Sequence, residues 1–79
     1  MNEIRIKVFF PLYRKVYFTI LADDIPLYIH MDRISDMTGV HIGNRNERIV
    51  YEYVTGQRLN EEKSLKYNQA FDGMMIVIV

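Results

Sequence analysis

The chain opens on a period of two. Ile4, Ile6, Val8 and Phe10 alternate with Glu3, Arg5, Lys7 and Phe9, the pattern of a strand with one buried face, because successive side chains point to opposite sides of a sheet. Pro11 ends the strand, since it brings no amide to a ladder. After a polar turn around Tyr13, Arg14 and Lys15, Val16, Phe18 and Ile20 alternate with Tyr17, Thr19 and Leu21. Residues 1–22 therefore predict a β-hairpin that stops near Asp23.

The period then changes. Asp24 stands two residues before Pro26, and an acidic residue followed by proline at the first helical position predicts a helix start, with φ preset and no amide wasted. The helix is expected to run to about Thr38. Leu27, Met31 and Ile34, at spacings of four and three, gather on one stripe bordered by His30 and Met37. Gly39 supplies a left-handed cap.

Val40 to Glu47 turns polar, and Gly43, Asn44, Arg45 and Asn46 read as a surface loop. A third strand is expected over about Arg48 to Val54, a turn at Thr55-Gly56, and a short fourth strand over Gln57 to Leu59. Asn60 to Lys63 is a charged connection, Ser64 to Tyr67 a single helical turn, and Asp72-Gly73 a tight turn. The last run, Met74 to Val79, is apolar on both faces. For so short a run this predicts a strand with a neighbour on each side, hence a central one.

Composition narrows the class. The 79 residues suffice for one core and are too few for two, so 1–79 is expected to be a single domain. Hydrophobic residues at 49% and charged residues at 25% are the balance of a folded domain. Ten basic side chains offset ten acidic ones, which leaves no field to draw in nucleic acid or an anionic membrane. No cysteine is present, which removes disulfides and thiolate chemistry. Glu3, Arg5 and Lys7 interrupt the N-terminal apolar residues, and no stretch has the length to cross a bilayer. The expectation is a soluble, cytoplasmic protein without membrane insertion.

The order hairpin, helix, two strands, turn and central last strand resembles the ubiquitin-like β-grasp fold. Local motifs carry the same resemblance. Ile34-Ser35-Asp36 with Gly39-Val40 is similar to the end of the ubiquitin helix, and Gly56-Gln57-Arg58-Leu59 with Ser64-Leu65 and Asn68 to the stretch after its fourth strand. The resemblance implies an α+β fold, with a mixed four- to five-stranded sheet on one helix and the terminal strands central and adjacent. Ile25-Pro26-Leu27, the distance from Pro26 to Val40-His41-Ile42, and Asp72-Gly73 before the last strand resemble the bacterial YukD/EsaB family, accessory components of type VII secretion. Tyr67 to Asp72 is about one residue longer than that family's pattern. Ala70 stands where a larger aliphatic residue is expected, a deficit that Phe71 would offset by turning inward.

Candidate chemistry is sparse. Asp32 and Asp36 share a helix face away from the apolar stripe and are expected to be solvated; Asp23 and Asp24 read as turn and cap residues. His30 and His41 lack a third ligand, so neither a metal nor a cofactor is expected. His30 is expected to meet a backbone carbonyl or reach the surface. No phosphate loop, dinucleotide fingerprint or nucleophile elbow occurs. Conjugation and sulfur transfer on this fold need a free Gly-Gly terminus, whereas the sequence ends Ile78-Val79.

The remaining feature is the sheet face away from the helix. The ubiquitin resemblance implies that Ile76 and Ile78 are the inward residues of the last strand; with these and Ile4, Ile6 and Val8 facing the helix, period two sends Phe9, Met75, Val77 and Val79 to the opposite side. The third strand adds either Val50 and Val54 or Tyr51 and Tyr53, and an outward Glu52 favours the valines. The expected protein-binding residues are thus Phe9, Val50, Val54, Met75, Val77 and Val79, on an apolar patch of the kind that marks an interaction surface. The family resemblance implies a non-enzymatic adaptor whose partners are secretion-system components or further copies of itself. The alternative is a small ubiquitin-like subunit of a multicomponent enzyme such as a monooxygenase.

Overall fold

A computed structural model describes residues 2–79. Strand β1 (Glu3–Phe10) is followed by a 3₁₀ turn at Pro11–Tyr13 and strand β2 (Lys15–Ala22); helix α1 (Leu27–Thr38) leads to β3 (Val50–Glu52) and β4 (Met74–Ile78). The four strands form one sheet in the order β2-β1-β4-β3. β1 pairs antiparallel with β2 and parallel with β4, and β3 pairs antiparallel with β4. The two terminal strands are therefore central and adjacent, as the β-grasp resemblance implies.

The core follows from the alternation in β1 and β4. Ile6, Val8 and Phe10 with Met74, Ile76 and Ile78 turn one face of the sheet onto Leu27, Met31 and Ile34 of α1, and all are buried. Each such side chain contributes about 1.5–3 kcal/mol by leaving water. The helix starts one residue later than the sequence suggests, with Pro26 as its N-cap (φ −53°, ψ 138°). Its first amides find partners across the chain: Leu27 N–H donates to the Lys63 carbonyl at 3.0 Å and Tyr28 N–H to that of Glu61 at 2.9 Å. Gly39, at φ 72°, ends it by donating to Ser35 O. His30 lies inside the stripe, and its Nε2 sits 2.8 Å from the Ala22 carbonyl.

Three local expectations need correction. The third strand is shorter than 48–54, although Ile49 and Val79 exchange both backbone bonds and Tyr53 N–H donates to Met75 O, so the ladder extends past its ends. Gln57 to Leu59 forms a single bridge, Arg58 to Tyr51, and not a fourth strand; it still covers the β3 edge through Leu59 N–H to Val50 O and Glu52 N–H to Gln57 O. Phe71 does not turn inward but is exposed; Ala70 packs against the core instead, its amide donating to Leu65 O at 2.9 Å.

Two ion pairs fix the connections. Arg48 and Glu61, both largely buried, join the loop before β3 to the loop before the last turn: Arg48 Nε and Nη2 both donate to Glu61, the latter at 2.6 Å, while Nη1 donates to Gly43 O at 2.6 Å. Asp72 holds the start of β4 beside β1, accepting from Arg5 N–H at 2.7 Å and from its guanidinium at 2.5 Å. Gly73 N–H then donates to Arg5 O, which sets Met74 opposite Ile6.

Candidate functional site

Cross-strand partners share a face, so the registers decide what the outer face of the sheet carries. Lys7 pairs with Phe18, Arg5 with Ile20 and Phe9 with Val16; across the other central strand Phe9 pairs with Val77 and Val77 with Tyr51. The face away from the helix thus presents Val16, Phe18 and Ile20 from β2, Arg5, Lys7 and Phe9 from β1, Met75 and Val77 from β4, and Tyr51 from β3. Tyr53 continues it beyond β3.

The expected residues separate into three groups. Phe9 and Met75 lie on the outer face, half-buried, and Val79 is exposed just past β4. Val77 also points outward but is only 1% exposed. The rings of Phe9 on β1 and Tyr53 just past the end of β3 meet edge-on with centroids 6.4 Å apart, which closes a lid over this stretch of the central strand. Val50 and Val54 do not belong to the face: Val50 points to the helix side and is buried, and Val54 lies in the turn after β3, exposed.

Glu52 explains the third-strand correction. It pairs with the core residue Ile76 and so faces inward, where an unpaired carboxylate would be costly. At the end of the sheet it accepts from Val54 N–H at 2.6 Å, Thr55 N–H at 3.0 Å and the Thr55 hydroxyl at 2.9 Å. Those bonds, the two backbone amides foremost, hold its pKa below the ordinary carboxylate value. With Glu52 inward, Tyr51 takes the outer face.

The open part of the face is at the other edge. Val16, Phe18 and Ile20 are 42%, 75% and 57% exposed on the edge strand β2. A shallow groove formed with Arg5, Lys7, Thr19 and Gly73 runs beside the last two. Sequence patterning alone gave no reason to select them, because both alternating sets in β2 contain apolar residues. The deciding signal is the hairpin connection: Phe10 pairs with Lys15 around Pro11–Arg14, with Arg14 left-handed at φ 53°. That register turns Tyr17, Thr19 and Leu21 inward and leaves the more apolar set outside.

The strip has a cationic border. Lys7 lies beside Phe18, and Arg5 beside Ile20 is held by Asp72, whose own pKa falls to about 2 chiefly through the hydrogen bonds from the Arg5 side chain and backbone amide. Asp32 and Asp36 are exposed on the helix, and His41 is exposed in the following loop. Among the described residues no group of three or more His, Asp or Glu side chains converges.

The overall arrangement is shared with solved structures. The N-terminal ubiquitin-like domain of the 4931431F19Rik protein is 21% identical, with a TM-score of 0.73 over 98% of this chain and 73% of that one. A ubiquitin-like domain from Arabidopsis thaliana is 18% identical, with a TM-score of 0.77 over 100% and 78%. A chain in protomer 1 of the ESX-3 core complex is 13% identical, with a TM-score of 0.71 over 99% of this chain but 16% of that one. No protein-family model and no curated protein matches the chain. At these identities the likeness establishes the fold, a ubiquitin-like β-grasp.

Proposed function

We propose that this protein is a non-enzymatic, ubiquitin-like adaptor that binds other proteins through the β2 side of its outer sheet face. The observation that carries the reading is the exposed strip Val16, Phe18 and Ile20 on a sheet whose single helix covers only the opposite face. Leaving three large apolar side chains side by side in water gains nothing for folding. A partner would bury them, and a contiguous apolar patch of this kind commonly marks such a contact. Lys7 at its border favours a partner that brings an acidic group beside an apolar centre, the Arg5 charge being already held by Asp72.

The resemblance to YukD/EsaB proteins supports a role in type VII secretion, acting from the cytoplasm on components of the machine. The match to a segment of an ESX-3 core complex chain supports the broader point that this fold can serve inside a multi-subunit assembly. The test is a clean deletion in the native host, complemented with the wild-type chain or with Phe18→Asp. Export of small helical substrates restored by wild type alone supports the proposal. Normal export in the deletion refutes the secretion role. Stable co-purification with an oxygenase would replace that role with an enzyme-subunit one.

A further inference from the structure

We infer that the free edge of β2 is a self-pairing strand, and that two copies of this chain join there into one continuous sheet. Half of the backbone groups of β2 point outward, away from β1. Arg5 uses its N–H on Asp72 and its carbonyl on Gly73, both on the β4 side. Backbone groups alternate along an antiparallel strand, so Ile4, Ile6 and Val8 serve β2, and in β2 it is Tyr17, Thr19 and Leu21 that answer them. The N–H and C=O groups of Val16, Phe18 and Ile20 therefore point off the edge of the sheet. The same three residues carry the exposed apolar side chains.

Edge strands are normally guarded by proline, a bulge or a charged side chain. From Val16 to Ile20 this edge has none of them. The opposite edge is different, because Gln57 to Leu59 covers β3 with backbone hydrogen bonds. One open edge per copy makes a closed two-fold dimer and not a growing filament.

The sequence also fixes the register. In an antiparallel pair centred on Phe18, Phe18 faces Phe18 of the second copy and Val16 faces Ile20, each pair exchanging both its hydrogen bonds. Centring on Tyr17 would set Ile20 against Arg14, which is in a left-handed conformation. Centring on Thr19 would set Val16 against Ala22, whose carbonyl already meets His30. Only the Phe18 centre pairs all three.

Charge favours a second copy as the occupant. In this register Arg14 faces Ala22 and so lies one position from Asp23 of the other copy, whose carboxylate also accepts from its own Asn2 N–H, twice by symmetry. The chain carries no net charge, so two copies do not repel at long range. The outer faces fall on the same side, which merges the two apolar strips into one surface across the axis. The inference does not depend on what that surface binds.

The test uses the purified full chain alone. Sedimentation equilibrium from about 10 μM to about 1 mM should show the 9.4 kDa mass double with concentration, a range suited to a small interface. Amide exchange by NMR should slow with concentration at Val16, Phe18 and Ile20 and stay unchanged at Tyr17 and Thr19. Phe18→Lys places like charges opposite each other on the axis and should weaken the dimer at least about tenfold. A monomer throughout the range, a dimer indifferent to Phe18→Lys, or protection appearing at other amides would each overturn the inference.

Discussion

Two aspartate substitutions on the same face of the sheet should behave in opposite ways. Val77 and Phe18 both point away from the helix, yet Val77 is 1% exposed and Phe18 is 75% exposed. Val77→Asp removes about 1.5 kcal/mol of apolar burial and sets a carboxylate beneath Phe9 and Tyr53, where desolvation adds several kcal/mol. A loss of at least about 3 kcal/mol is expected against a total on the order of 4–12 kcal/mol for a chain of this size. At roughly 4–8 °C per kcal/mol, the melting temperature should fall by about 12–24 °C. Phe18→Asp forfeits strand propensity and little packing, about 1 kcal/mol or less, and a shift of no more than about 8 °C. Thermal melts followed by circular dichroism at neutral pH read both. If Val77→Asp melts within about 5 °C of wild type, or the two variants fall equally, the aromatic lid over β4 does not exclude water and the division of this face into closed and open parts is wrong.

Three further outcomes follow from other contacts. Glu61→Ala strands the largely buried Arg48 guanidinium and should cost about 3–5 kcal/mol in urea denaturation, whereas Arg48→Met with Glu61→Leu should be near neutral, because a packed apolar pair avoids the desolvation. Asp72 titrates at about 2 folded against an ordinary 3.8, so its contribution is complete above about pH 4 and disappears as pH falls through about 2. The stability gap between wild type and Asp72→Asn should thus be largest at neutral pH and close by about pH 2, and a gap independent of pH would rule this ion pair out as its source. Gly39→Ala places a Cβ in open space at φ 72°, so only backbone strain opposes it; a loss of about 1 kcal/mol is expected in the same denaturation assay.

The parts of the fold legible from sequence were those where pattern and burial coincide. Ile6 and Val8 in β1 and Leu27, Met31 and Ile34 in α1 are the only apolar sets there consistent with one buried face, whereas β4 is apolar on both faces and the fold resemblance set Ile76 and Ile78 inward. The outer face was legible only in part. Phe9, Met75 and Val79 do lie away from the helix: Phe9 follows from β1 by parity, Met75 and Val79 from the inward Ile76 and Ile78 that the fold resemblance implies. Val50 and Val54 were misplaced, because a buried glutamate looks anomalous until the turn amides of Val54 and Thr55 are seen to bind it. Val77 showed the right direction and the wrong exposure, since no periodicity reveals that the rings of Phe9 and Tyr53 meet above it. The strip on β2 escaped notice because its parity is set by one left-handed residue, Arg14, in a four-residue connection.

The adaptor proposal is tested most directly by capture from the native host with the immobilised wild-type domain and the folded Phe18→Asp variant side by side. The expected result is recovery of secretion-machine proteins by wild type and their loss with the variant, at equal loading and with circular dichroism confirming the fold. Equal recovery by both would contradict the assignment of the binding surface to the β2 side of the sheet.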